Sequence, residues 1–177
     1  VWTLGLGGGD EPPGLYRIEV TEQPGSGVRI LNQPTPPAFR ESVNVANQNL
    51  VARSRDLVGE RNPREHEFTV QLRALDTARS GAHTSVAVLT ALSSALLGRS
   101  VRGGPVIAGH LTLGGSLEPI HNASDLVERA FERGAEAILM PVSCRRALAD
   151  LSDDLATRVQ VVFYADAQDA LRKALAA

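Results

Sequence analysis

Ser80, His83, Thr84 and Ser85 fall within six residues of one another. A histidine beside a serine can make a nucleophile, the imidazole taking the hydroxyl proton. On that reading Ser80 or Ser85 attacks and His83 is the base. A triad also needs hydrogen-bond geometry among three groups, which nearness in sequence does not supply. The plainer reading is that these hydroxyls cap a helix start. His110 and His121 could join His83 as imidazole ligands of a metal, but no H-x-H or H-x-x-x-H spacing supports such a site. Each reads more simply as a partly buried histidine satisfied by backbone, and no metal is expected.

One residue type is nearly missing. Of eighteen basic side chains in 177 residues, Lys173 is the only lysine. A phosphate loop of the G-x-x-x-x-G-K-[ST] kind needs a lysine beside the phosphates, and Lys173 lies in a C-terminal A-L-R-K-A-L run instead. Net charge is −2, without the basic excess of a free-standing nucleic-acid binder. Arg53, Arg55, Arg61 and Arg64, with Arg145 and Arg146, are interleaved with Asp56, Glu60 and Glu65 and read as solvated faces. Phe39, Phe68, Phe131 and Phe163 occupy core-like positions. The single cysteine, Cys144, can form no internal disulfide. No apolar run approaches the roughly 20 residues that span a bilayer. With no signal-peptide layout at Val1, the expected compartment is the cytoplasm, with no membrane partner.

The elements that must position these residues alternate between two periods. Val1 to Leu6 (V-W-T-L-G-L) reads as a short strand. Tyr16, Ile18 and Val20 alternate with polar residues, as in a half-buried strand, and Val28-Arg29-Ile30 follows Pro24-Gly25-Ser26-Gly27 as the return arm of a hairpin. From Pro37 to Gly59 apolar residues recur at helical spacing. Phe68, Val70 and Leu72 alternate again. Ala82 to Leu97 is a buried helix stopped by Gly98. Val106-Ile107 and Leu111 to Leu113 are extended. Asn122 caps a helix ending at Gly134, and Ala137 to Val142 is a buried strand. Arg145 to Leu151 reads as a short helix, Val159 to Tyr164 as a strand, and Gln168 to Leu175 as a closing helix. The fold class is α+β (mixed α/β), a single domain over residues 1–177 without the strict alternation of a doubly wound sheet.

At Ala108 to Ile120 the text A-G-H-L-T-L-G-G-S-L-E-P-I resembles the T-G-E-I-T-L-x-G-x-V-L-P-I signature of Lon proteolytic domains. Upstream, S-V-A-V-L-T-A-L-S-S-A-L-L-G is similar to the Lon helix G-I-T-M-A-T-A-L-V-S-A-L-T-G. Downstream, R-A-F-E-R-G-A-E-A-I-L-M-P is similar to A-A-x-R-A-G-I-K-x-V-I-I-P. The phrases L-T-L-G-G-S-L-E-P-I-H-N and F-Y-A-D-A-Q-D-A-L look most like the BrxL subfamily of Lon-related proteins, from BREX phage-defence systems.

The resemblance implies a Lon-like proteolytic fold. Lon enzymes use a serine nucleophile and a lysine base whose amine is desolvated so that it can take a proton. Ungapped matching places the nucleophile position on His83, in the stretch where the family has D-G-P-S-A-G, and the base position on Leu126. The family's T-G-E threonine and glutamate fall on Ala108 and His110, and the aspartate before the nucleophile on Ser80. Arginine stays charged and cannot replace the base. The expectation is therefore a degenerate dyad with no peptidase activity by itself, in an oligomerisation module of an ATP-driven phage-defence protein. The alternative is a Lon-type serine peptidase domain with a replaced arrangement. The resemblance further implies a C-terminal piece of a larger AAA+ protein, a ring-shaped homo-oligomer, and DNA as a partner reached through that protein. No cofactor is expected in this domain; ATP and Mg belong to the upstream AAA+ segment.

Overall fold

The structure, a computed structural model, describes residues 1–8, 11–102, 105–149 and 151–176. Seven strands form one mixed sheet: β1 (Trp2–Gly7), β2 (Gly14–Pro24), β3 (Gly27–Ile30), β4 (His66–Ala74), β5 (Pro105–Ala108), β6 (Ala137–Pro141) and β7 (Gln160–Tyr164). The order across the sheet is β3-β4-β2-β1-β5-β6-β7. Six helices accompany it: α1 (Pro37–Ala52), α2 (Ser54–Val58), α3 (Ser85–Leu97), α4 (Ala123–Glu132), α5 (Asp153–Arg158) and α6 (Ala167–Ala174).

The two halves of the sheet differ because their sequences do. In β2 and β4, Tyr16, Ile18, Val20, Phe68, Val70 and Leu72 are buried in the core that also holds α1 and α3. The opposite face carries Arg17, Glu19 and Arg73, joined by ion pairs. One apolar face against one charged face is what strict alternation encodes. β1, β5 and β6 are covered on both sides. Ile107 and Leu139 enter the α1/α3 core, while Leu6, Val106, Ile138 and Met140 enter a second core with α4 and α5. A continuous apolar run such as Ala137–Met140 therefore marks a strand buried on both faces. From β5 onward strands are parallel and alternate with helices; only the N-terminal half breaks that pattern.

Several expectations are corrected. β3 is not the return arm of a hairpin with β2. It pairs in parallel with β4 (Val28 opposite Phe68), because β4 fills the β2 edge from Tyr16 opposite Ala74 to Pro24 opposite His66. The long helix breaks at Arg53, whose backbone leaves helical geometry, and continues as α2. The buried helix begins at Ser85, not Ala82, since Gly81 and His83 both take positive φ. Leu111 only bridges Leu117 across a tight turn. Of the helix expected over 145–151, Arg145 to Ala149 holds turns instead; the helix is α5, capped by the Ser152 hydroxyl. Asn122 occupies the cap position of α4, yet its side chain makes no capping bond. Phe39 and Phe68 are core residues, whereas Phe131 is exposed with the Arg158 guanidinium 5.8 Å from its ring and Phe163 is half-buried with Arg145 at 5.0 Å. The glycine-rich loop after Gly7 lies partly outside the described residues.

Gly109, directly after β5, sits at φ +143, and a Cβ there would overlap the Tyr164 hydroxyl. That hydroxyl is fully buried and donates to the Ala108 carbonyl. Gly109→Ala should therefore lower stability by roughly 2–3 kcal/mol, as overpacking of a closed core does. Urea unfolding of Gly109→Ala, Tyr164→Phe and the double variant checks this. The double variant should lose less than the sum, since removing the hydroxyl frees the space.

Candidate functional site

Three of the family-like positions, His83, His110 and Leu126, converge on one cleft. It has a volume of about 370 Å³ and is lined by the end of β1 (Leu6–Gly8), His83, Gly109 and His110, the segment from Glu118 to Asn122, and Leu126. Each wall has a local cause. α3 starts where Thr84 closes a turn, its hydroxyl donating to the Gly81 carbonyl and its N–H to the Ser42 hydroxyl. Gly7 lets β1 come close beneath, since a Cβ there would run into the Ala82 and His83 carbonyls. Leu126 lies on the inner stripe of α4 with Ala123, Val127 and Ala130, buried against β5 and β6. His83 and Leu126, 43 positions apart in the chain, thus line the same cavity.

The pairing expected around His83 is not the one formed. His83 is exposed and holds φ +59, the only positive φ of a residue other than glycine among those described. Its ring stacks on His110, with centroids 4.9 Å apart and planes 25° from parallel. Ser85 does meet a histidine, but it is His110: Ser85 Oγ lies 2.8 Å from His110 Nδ1 and accepts the Leu111 N–H at 2.6 Å. Ser80 instead donates to the Glu11 carboxylate and accepts the Ala82 N–H. Ser85 is fully buried, and neither serine lines the cleft. The reason is helical geometry: Ser85 is the first residue of α3 and turns inward to the segment after β5, while left-handed His83 is exposed on the cleft side of the same His110 ring. His110 was missed as the partner of Ser85 because 25 positions separate them, and no spacing rule spans that gap.

The Leu111 N–H takes one of the two lone pairs of the Ser85 oxygen, and that oxygen shares a further hydrogen bond with His110 Nδ1. Burial lowers the His110 pKa below 6.5, and His83 lowers it further; Glu118 and Glu41 act in the opposite direction. His121 lines the cleft as well, whereas His66 lies on β4 with the Glu22 carboxylate 2.7 Å away. Among the described residues no group of three histidine, cysteine or acidic side chains is placed to hold a metal ion.

Lys173 does not reach the cleft. Its ammonium donates to the Phe163 carbonyl at 2.6 Å and to Asp169 at 3.0 Å. Asp169 is held at a pKa of about 2, chiefly by Arg172, with further help from the Ala165 N–H and Lys173. Arg53 is likewise engaged, donating to Asn49 and to the Gly114 carbonyl. Arg55, Arg61 and Arg64 are exposed among Asp56, Glu60 and Glu65. No helix among those described is long and apolar enough to cross a membrane.

Fold and cleft together define a class. Residues 4–177 match the Lon protease (S16) C-terminal proteolytic domain, and the chain belongs to that family. Among particular relatives, it is 29% identical to the Lon-like protease BrxL of Escherichia coli O9:H4 (strain HS), over 92% of this chain and 24% of that protein. It is 22% identical to the Lon-like protease BrxL of Bacillus cereus (strain H3081.97), with the same two shares. To Lon protease 2 of Myxococcus xanthus it is 29% identical, over 98% of the chain and 20% of the relative. The chain spans about a fifth to a quarter of the length of these relatives.

A lowered His110 pKa gives a sign to the pH dependence. The unfolded chain takes up the proton near pH 6.5, while the folded chain resists until lower pH. Stability from neutral His110 is therefore complete above 6.5 and is lost as pH falls toward the folded value. Unfolding free energies measured by urea across that range should decline on acidification, and His110→Gln should remove that part of the slope.

Proposed function

We propose that this domain is a catalytically silent Lon-fold module that helps assemble a larger ATP-driven protein of BREX phage defence. One observation carries the reading. His83 and Leu126, onto which the resemblance lays the family's nucleophile and base, both line the cleft, and Leu126 can accept no proton. The only lysine is engaged by Phe163 and Asp169 instead. The names of the BrxL relatives support the subfamily, and the short span of their length that the chain covers fits one module of several. On this reading ATP and Mg are bound by an upstream AAA+ segment and the domain itself takes no cofactor. The parent protein forms a cytoplasmic homo-oligomeric ring that meets DNA.

A second reading keeps peptidase activity with a replaced arrangement. The observation in its favour is the Ser85–His110 hydrogen bond, which has the form of an activated serine. Against it, the Ser85 hydroxyl is buried and already accepts the Leu111 N–H.

Fluorophosphonate labelling and peptide cleavage by the full-length parent protein separate the two. The assembly reading expects neither, together with loss of the oligomer by light scattering when the domain is deleted. Labelling that disappears in Ser85→Ala would establish the peptidase reading, and an oligomer unchanged by the deletion would remove the assembly role.

A further inference from the structure

The cleft has the setting and the lining of a small-molecule site. β1 and β5 are parallel neighbours, and α3 and α4 begin beside their C-terminal ends on opposite faces of the sheet. Open sheets take ligands in the crevice outside the strand ends at such a reversal. At about 370 Å³ the cavity falls within the range of ligand pockets. Leu6, Ile120 and Leu126 give it apolar walls. Among the described residues no lysine or arginine lines it, and Glu118 is its one carboxylate. Burial keeps the His110 ring neutral at ordinary pH. A phosphate or carboxylate group therefore meets no fixed cation here and one like charge, whereas an uncharged body carrying an amino group meets an acceptor.

Three groups on the walls are placed to read such a body. The His83 ring is covered on one face by His110, and the residue is otherwise exposed on the cleft, which leaves a flat surface for a further ring. Asn122 makes no capping bond, so its amide keeps a donor and an acceptor. Glu118 supplies an acceptor only.

We propose that the cleft binds adenine, free or as its nucleoside, stacked on His83 and read by Asn122 and Glu118. An asparagine amide pairs with adenine through two bonds, donating to N7 and accepting from the 6-amino group. The second amino hydrogen is left for the Glu118 carboxylate. Hypoxanthine carries a carbonyl oxygen at that place and sets an acceptor against a carboxylate, so the cleft discriminates between the two bases. This binding goes beyond the assembly role and does not depend on it.

Adenosine titrated into the chain, with amide chemical shifts and calorimetry as readouts, tests the site. Saturable shifts should centre on residues 83, 110 and 118–122. Inosine should bind at least about fivefold more weakly, and AMP and a short deoxyadenylate strand should bind more weakly than adenosine. His83→Asn tolerates the left-handed backbone, removes the ring and should weaken adenosine at least about fivefold. Glu118→Gln, whose amide can also donate, should narrow the gap between adenosine and inosine. Amide spectra that match the parent chain away from the cleft show that both variants fold. No saturable shifts, shifts centred elsewhere, equal affinity for adenosine and inosine, tighter binding of AMP or the strand, or adenosine affinity unchanged in both variants would each overturn the proposal.

Discussion

The structure depends on how closely α3 lies on β1. A helix can approach a strand to within ordinary contact of its backbone only where side chains are absent or small. A Cβ on Gly5 would stand 2.9 Å from the Ala87 methyl, and one on Gly7 would meet the Ala82 carbonyl. α3 matches this with Ala, Ser and Thr among its Val and Leu residues, and residues 85–96 are all buried. Because α3 is central, α1 and α6 pack against it rather than against most of the sheet. Its N-terminus thereby meets the ends of β1 and β5, which is where the cleft lies.

That junction also explains the fate of the hydroxyls. A serine at the first position of α3 is turned inward to a backbone N–H and a buried imidazole, where it fastens the helix to the segment after β5. Two residues earlier the chain is still in a left-handed turn, so the side chain at 83 faces the cavity. The position that faces the cavity carries an imidazole, and the nearest serine faces the core. The cleft thus presents a stacked histidine pair and no serine hydroxyl.

The basic side chains at the ends of α1 and α6 are held in short local contacts away from the cleft. Asp169 gathers Arg172, Lys173 and the Ala165 N–H around the start of α6. Arg53 ends α1 by bending toward the Gly114 carbonyl, and Asn49 reaches the Thr112 carbonyl, which together hold the T-L-G-G turn. The sole lysine and the best-placed arginine of the long helix are therefore structural. Neither contributes a cation to the cavity.

Periodicity determined most of the architecture: the one-sided strands at Tyr16–Val20 and Phe68–Leu72, the doubly buried strand at Ala137, the central helix and the closing helix. These follow from which faces are apolar, a property local to each segment. Composition alone fixed the scarcity of lysine. The tertiary structure decided which strands are neighbours, because β4 competes with β3 for the same edge of β2 and wins with a longer ladder. It also decided that Ser85 meets His110 rather than His83, and that His83 and Leu126 share a cavity. Such contacts join residues dozens of positions apart, and side-chain direction at a helix start turns on one or two dihedrals that no residue type specifies.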